Sequence, residues 1–276
     1  MRAPPPGARI GYNRRVMIDS EDELLAVAHR AARAAAAELL ARFGHHQQDI
    51  RAKSGPTDLV SEADLAAEAA IRAVLAAQRP ADAILGEEGG ATGHGRLCWV
   101  IDPLDGTINF LFGVPQFAVS VACEDAEGGL VGVVLDPVRE EVFAATRSGE
   151  ATLNGVAIAG SRREDLSTAL VATGFAYDAA VRERQARTLT GLLPRVRDIR
   201  RAGSAAIDLA WCACDRYDAY YERGVKHWDH AAAGLIAARA GLVVRELPES
   251  AGLPSGLIAA PPALIDELQG LVLGAD

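Results

Sequence analysis

The sequence predicts an α/β protein, and three observations carry that reading. From about Ser161 onward, short apolar runs of strand type alternate with helical stretches, the rhythm of an α/β layer. Before that point, two Ala-rich amphipathic helices precede a series of short strands set off by Gly, Pro and Asn-Gly turn signals. No repeat and no low-complexity linker separates the two parts, so they are expected to pack as one body. The chain divides into an extension, 1–16, a first α+β half, 17–160, and a second α/β half, 161–276.

The extension is rich in Pro and Arg and is expected to be disordered. It has no apolar h-region and so does not read as a signal peptide, and Met17 is an alternative start to Met1. Ser20 followed by Glu21-Asp22-Glu23 is an N-cap with a capping-box Glu, and a helix runs from there to Phe43, stopped by Gly44. A polar loop from His45 to Pro56 leads to a second helix, capped by Ser61 and closed by Pro80. Ile84-Leu85 is a short strand that enters Gly86-Glu87-Glu88-Gly89-Gly90. Leu97–Ile101 is a buried strand; Pro103 cannot continue a ladder, so the strand is expected to stop there. Strands follow at Phe117–Cys123, Leu130–Leu135, Val142–Ala145 and Ala151–Leu153, the last before an Asn154-Gly155 hairpin turn.

In the second half the expected strands are Ala169–Thr173, Tyr217–Tyr221, Leu242–Leu247 and Leu257–Ala259. The expected helices are Val181–Leu193, Ser204–Cys214, Asp229–Ala240 and Pro262–Leu273.

At 276 residues, half of them hydrophobic, the chain can bury a large core. A net charge of −9 argues against a nucleic-acid-binding surface, and no apolar stretch reaches membrane-spanning length. Acids gathered around metal ions and ordinary solubility both account for the charge. Cys98, Cys123, Cys212 and Cys214 lack zinc-type spacing and read as free thiols of a reducing cytosol.

The chemistry centres on Trp99–Phe110, W-V-I-D-P-L-D-G-T-I-N-F. Asp102 and Asp105 stand close together at a strand end and repel each other unless a cation lies between them. Mg²⁺ takes one or two carboxylates, waters and phosphate oxygens at about 2.0–2.1 Å. Gly106 permits close backbone approach, and the Gly106 and Thr107 amides at a helix start suit an anion such as phosphate. For D-P-x-D alone a plain turn with an N-capping Asp is the favoured reading, because such turns are common.

Four other segments bear on the choice: K-S-G-P-T-D-L-V-S-E-A-D at Lys53–Asp64, G-E-E-G at Gly86–Gly89, G-S-A-A at Gly203–Ala206, and H-W-D-H-A-A-A-G at His227–Gly234. Each has an ordinary reading by itself. Asp229 at a helix N-terminus is favoured by the dipole in any protein, and His227 and His230 read as surface or supporting residues.

Together these segments resemble the inositol monophosphatase family of Mg²⁺-dependent, lithium-sensitive phosphatases, over roughly residues 20–272. The two signatures are W-V-I-D-P-L-D-G-T-I-N-F and W-D-H-A-A-A-G, with D-A-Y-Y-E-R-G downstream of G-S-A-A. Phe112 stands where a polar or ring-hydroxyl residue is common, and Leu242 follows Gly241 where a small residue is frequent; neither is an expected ligand.

The resemblance implies a five-layer α/β/α/β/α sandwich of the inositol monophosphatase and fructose-1,6-bisphosphatase type. It also implies a homodimer in the cytoplasm, with the site where the halves meet. It implies two to three Mg²⁺ ions, most of their ligands coming from the first half: Glu87, Asp102 and the Leu104 carbonyl for one ion, Asp102, Asp105 and Asp229 for the second, and Glu87 with waters for a third. It further implies that Thr107 and Glu87 orient the attacking water, with Asp64 bonded to Thr107, and that the Gly106 and Thr107 amides receive phosphate. Ala205, Glu222 and Asp105 would meet the substrate alcohol, and Lys53 would stand at the mouth.

The expected reaction is hydrolysis of inositol 1-phosphate, a small phosphorylated polyol, with the Tyr220–Gly224 segment as the reason for inositol. Histidinol phosphate, 3′-phosphoadenosine 5′-phosphate and fructose 1,6-bisphosphate are alternative substrates of the same chemistry. A base platform and extra cations for a nucleotide are not evident in the sequence. A non-catalytic regulatory protein on the same fold is the remaining alternative.

Overall fold

A capping box opens the first helix, α1 (Glu21–Leu40): the Ser20 hydroxyl accepts from the Glu23 amide at 3.2 Å, and the Glu23 carboxylate accepts from the Ser20 amide at 3.4 Å. The structure, a computed structural model, describes residues 20–44, 51–55, 58–250 and 252–274, with the backbone alone described for 51–55 and 58–60. The extension 1–16 and the loop residues 45–50 therefore lie outside the described residues. After them a strand pair, β1 (Arg51–Gly55) and β2 (Asp58–Val60), leads to α2 (Glu62–Gln78).

A first sheet is built from β3 (Ala83–Gly86), β4 (Gly90–Thr92), β5 (Cys98–Asp105), β6 (Ala118–Asp125), β7 (Gly128–Asp136), β8 (Glu141–Thr146), β9 (Thr152–Leu153) and β10 (Val156–Ala157). A short helix, α3 (Thr107–Leu111), separates β5 from β6. The strand order is β10-β9-β8-β7-β6-β5-β3-β4, antiparallel apart from the β3–β5 pair.

The second sheet contains β11 (Leu170–Thr173), β12 (Asp198–Arg200), β13 (Ala219–Arg223), β14 (Val243–Leu247) and β15 (Gly256–Ala260), in the order β12-β11-β13-β15-β14. Its first three strands run parallel. The helices of this half are α4 (Ala179–Leu192), α5 (Ala205–Ala213), α6 (His227–Arg239) and α7 (Ile265–Gly274).

Five layers result. Helices α1 and α2 cover the outer face of the first sheet through Leu24, Ala28, Leu39, Ile71 and Leu75. Helices α5 and α6 fill the space between the sheets, where Ile207, Leu209, Ala232 and Ile236 meet Val100, Ala122, Val134 and Tyr220. Leu192 of α4 and Leu268 and Val272 of α7 close the outer face of the second sheet. Among the described residues no helix is long and apolar enough to cross a membrane, and all four cysteines are free.

The two-residue period of each strand decides which side chains face the middle layer. In β5, Trp99 and Ile101 point to the outer helices while Val100 points inward, so Asp102 shares the inward face with Val100. In β13, Tyr220 is inward and Ala219 and Tyr221 outward. Glu222 therefore faces inward and Arg223 outward, where the Arg223 guanidinium donates to the Pro248 and Pro254 carbonyls.

One expectation is corrected. The strand does not end at Pro103: β5 runs to Asp105 with a register shift, Asp102 opposite Ser120 and Asp105 opposite Ala118. An extra residue is accommodated in a bulge, the place in a sheet where a residue without an N–H is tolerated. Two helices start early, α4 at Ala179, capped by Asp178, and α6 at His227, while α7 starts late, at Ile265. Strand β13 extends through Glu222 to Arg223.

Candidate active site

The bulge in β5 shapes the site. Freed from ladder pairing, the Leu104 amide donates to Asp102 Oδ1 at 3.0 Å, which fixes that carboxylate against its own turn. Gly106 then takes φ +98, and a Cβ there would lie 2.9 Å from the Gln116 carbonyl, so only glycine makes this turn without strain. The turn delivers Thr107 to the start of α3. Its Oγ1 lies 3.1 Å from both Asp64 Oδ1 and the Leu104 carbonyl. A hydroxyl has one proton, so Thr107 donates to one of these at a time.

Asp64 is fully buried at the start of α2, where its Oδ2 accepts from the Ser61 amide at 2.8 Å and the Ser61 hydroxyl at 2.6 Å. The capping box thus orients the carboxylate that meets Thr107. Asp105 crosses to the second half of the chain: its Oδ2 accepts from Ser204 Oγ at 2.5 Å and the Ala206 amide at 2.7 Å, at the start of α5. Asp229, in the first turn of α6, accepts from the Lys226 amide at 2.6 Å. Packing of α6 on the inward face of β5 and β6 brings it opposite Asp102; the Ser120 hydroxyl donates to the Trp228 carbonyl at 3.3 Å across that contact.

These groups share one cavity of about 480 Å³. Glu87, Asp102, Asp105, Gly106, Thr107 and Asp229 line it together with Ala205, Glu222, Phe175, Tyr177 and Arg201. Of the expected site residues, Asp64 stands just behind this wall, and the side chain of Lys53 lies outside the described residues. His227 and His230 do not line the cavity; His227 Nε2 is 2.8 Å from Glu124 Oε2.

The electrostatics are those of crowded acids. Burial pushes the Asp102 carboxyl well above the usual carboxylate range, and the charges of Glu87, Asp105 and Asp229 push it further. Burial and Asp105 do the same to Asp229, against the bond from the Lys226 amide. Burial raises Asp105 to about 6, while its bonds from Ser204, Ala206 and Ala205 pull the other way.

Among the described residues no three acidic, His or Cys side chains are arranged so that together they could hold an ion. The donor set nevertheless fits a hard divalent cation. Carboxylates that repel one another in a cavity are what such a cation relieves, and Mg²⁺ keeps waters and phosphate oxygens among its ligands, so it does not require an all-protein cage.

Sequence reasoning missed several residues. Asp208, 1 % exposed on α5, has an Oδ1 with no hydrogen-bond partner among the described residues. Its carboxyl is pushed well up by burial, then by Glu222 and Asp105. The signal was available as a lone acid within the apolar run Ala205–Ala213. Tyr220 belongs to a segment the sequence did single out, but its role was not foreseen: it is fully buried, and its hydroxyl donates to Glu222 Oε2 at 3.0 Å. Burial raises Glu222 to about 7, while the bond from Tyr220 and the charge of Arg201 pull it down. Phe175, Tyr177 and Arg201 carried no motif at all.

Comparison with known proteins bears on the family and the fold. The family model described as the inositol monophosphatase family matches residues 20–272. The chain is 42% identical over 240 residues to the inositol-1-monophosphatase of Mycobacterium bovis, covering 83% of each chain. It is 44% identical over 239 residues to a Pseudomonas aeruginosa protein named Nus factor SuhB, covering 82% of this chain and 86% of that one. The structure of the extragenic suppressor protein suhB from Bartonella henselae superposes with a TM-score of 0.83 at 32% identity, over 90% of this chain and 98% of that one. The chain belongs to the inositol monophosphatase family, a family of phosphatases, and has its layered α/β fold.

Proposed function

We propose that this protein is a Mg²⁺-dependent phosphomonoesterase that hydrolyses inositol 1-phosphate to inositol and phosphate. The observation that carries the reading is the convergence of Glu87, Asp102, Asp105 and Asp229 on one cavity with the Asp64–Thr107 contact beside them. Glu87, Asp102 and the Leu104 carbonyl would hold one ion, Asp102, Asp105 and Asp229 a second, and Glu87 with waters a looser third. Bound Mg²⁺ supplies a water of lowered pKa and offsets negative charge on the leaving oxygen.

The chain's own residues do the rest. When Thr107 donates to Asp64, its lone pairs are left to accept from the attacking water, and Glu87 aligns that water from the other side. The Gly106 and Thr107 amides receive phosphate oxygens. Glu222, seated by Tyr220 beneath the alcohol end of the cavity near Ala205, accepts from a ring hydroxyl. Lys53 is assigned to the mouth. The protein acts as a homodimer in this reading, which light scattering checks.

The experiment is a steady-state comparison of inositol 1-phosphate, histidinol phosphate, fructose 1,6-bisphosphate and 3′-phosphoadenosine 5′-phosphate in Mg²⁺, with and without chelator. Inositol 1-phosphate should give the highest kcat/KM, and chelator should abolish turnover. Full activity in chelator would remove the metal-dependent reading.

A second reading comes from the relatives named Nus factor SuhB. A regulatory protein on this fold would have no need of an intact ligand set, and Glu87, Asp102, Asp105, Thr107 and Asp229 are all present. Turnover of none of the four substrates would favour this second reading.

A further inference from the structure

The turn that carries Glu87 is held from another element. It joins β3 to β4, and α2 reaches it with two side chains one helical turn apart, Glu68 and Arg72. The Glu68 carboxylate is 3 % exposed. It accepts from the Glu88 amide through Oε2 and from the Gly89 amide through Oε1, each at 2.8 Å. Arg72 Nε donates to the same Oε1 at 2.7 Å. The rest of the guanidinium spans the turn: Nη2 donates to the Gly90 carbonyl at 2.9 Å and Nη1 to Thr92 Oγ1 at 3.0 Å. Arg72 thus orients the carboxylate, and the carboxylate fixes the two amides that follow Glu87.

The glycines of G-E-E-G make room for this clamp. A Cβ on Gly86 would stand 2.8 Å from both Glu68 Oε1 and Arg72 Nη2. A Cβ on Gly89 would stand 2.6 Å from Glu68 Oε1 and 2.8 Å from Arg72 Nη2. Neither glycine has a positive φ, so a side chain here would violate space and not backbone conformation. The same helix also reaches Thr107. Asp64, four residues before Glu68, lies 3.1 Å from Thr107 Oγ1 through its Oδ1. Residues four apart share a helix face. One turn of α2 therefore holds both groups assigned to the attacking water, Thr107 through Asp64 and Glu87 through Glu68.

We infer that Glu68, oriented by Arg72, is a positioning residue for Glu87, and that α2 sets the spacing between Glu87 and Thr107. This rests on the phosphomonoesterase reading above and adds to it a part that touches neither substrate nor ion. Loss of a residue that orients a metal ligand costs about 10–100-fold in metal affinity or activity.

The test uses Glu68→Gln, which offers one acceptor oxygen to two amides, and Gly89→Ala, which leaves Glu68 intact and displaces its carboxylate. Mn²⁺, which shares the oxygen preference of Mg²⁺, is titrated without substrate and followed by the paramagnetic resonance of the free ion. Both variants should bind Mn²⁺ about tenfold more weakly than wild type. Both should also lower kcat on inositol 1-phosphate in saturating Mg²⁺ with little change in KM. Because the two changes break one clamp, the double variant should lose little more than either single one. Glu68→Gln removes buried bonds and should lower the thermal midpoint, so binding is read well below each midpoint. A lowered midpoint with Mn²⁺ affinity and kcat unchanged would leave Glu68 a stabilising residue only, and a loss confined to KM would place it on the substrate side; either result overturns the proposal. If wild type neither binds Mn²⁺ nor hydrolyses inositol 1-phosphate, the phosphatase reading has failed by itself. Amide hydrogen exchange then tests the clamp alone: the Glu88 and Gly89 amides should be protected in wild type and exchange faster in Glu68→Gln, and equal rates overturn the inference independently.

Discussion

The proposed phosphate end and the proposed alcohol end of the cavity meet the burial of negative charge differently. At the phosphate end, Asp102, Asp105 and Asp229 are tethered to backbone amides or a hydroxyl, and with Glu87 they crowd together. At the alcohol end, Glu222 has its own hydroxyl donor in Tyr220 and a cation, Arg201, within electrostatic reach. In the proposed reading the first end takes an external cation; the second has a donor and a cation of its own, yet burial still raises Glu222 to about 7 and leaves Asp208 Oδ1 without a partner among the described residues. Substitutions at the first should therefore be catastrophic for turnover and benign for folding, and those at the second should retune substrate choice.

The largest expected effect is that of Asp102→Asn. In the proposed set it serves both ions, and its loss should cut kcat/KM by at least ~10³-fold, as several kcal/mol of transition-state charge stabilisation disappear. In chelator the variant should unfold at the same or a higher temperature than wild type, because one of four crowded charges is gone. Wild-type turnover in saturating Mg²⁺ would break the contrast between the two ends.

Next comes Thr107→Ala, which removes the hydroxyl beside Asp64 and keeps the amide. It should lower kcat by about 10²-fold or more with little change in KM, the size expected for a group that positions the nucleophile. Thr107→Ser should recover most of the loss. A change confined to KM would move Thr107 from water orientation to substrate binding.

Glu222→Gln should cost about tenfold or less in kcat/KM on inositol 1-phosphate, the scale of one charge-assisted hydrogen bond. A clearly larger loss on histidinol phosphate would show that this carboxylate is built for an amine. Equal and negligible effects on both would remove the reason for preferring inositol.

The smallest effect is on stability and sharpens the comparison most directly. A carboxyl whose pKa is raised in the folded state takes up its proton more readily there than in the unfolded chain. Its contribution is therefore full below the unfolded value and is lost as pH rises through the folded value. For Asp105 that window runs from 3.8 to about 6, and for Glu222 from 4.5 to about 7, with Asp102 and Asp229 adding to the trend in the same direction. In chelator the thermal midpoint should fall as pH rises from 4.5 to 7.5. Mg²⁺ at pH 7.5 should restore it, by about 2.7 kcal/mol at a hundred times its Kd. Glu222→Gln should flatten only the part that Mg²⁺ does not restore. A midpoint indifferent to Mg²⁺ at pH 7.5 would count against an ion at the acidic end.

Much of this protein was legible along the chain. The caps at Ser20 and Ser61, the Gly86–Gly90 turn and the alternation after Ser161 are local signals, set by hydrogen bonds and periodicities within a few residues. The site's acids were legible for a related reason: carboxylates beside Gly and Pro at element ends stand out where apolar residues would otherwise continue. The limits were local as well. Pro103 argued for a strand end because the sequence does not reveal that β6 would accept a bulge opposite Ser120 and Ala118.

Tertiary structure alone decided which faces meet. Periodicity shows that Glu222 and Arg223 lie on opposite sides of β13, but only the packing of α5 and α6 between the sheets makes one side the cavity and the other a carbonyl-lined pocket for Arg223. The same packing sets Asp229 opposite Asp102 and brings Ser204 onto Asp105. These contacts join residues far apart in sequence through close packing of whole layers, and no window along the chain holds the information that determines them.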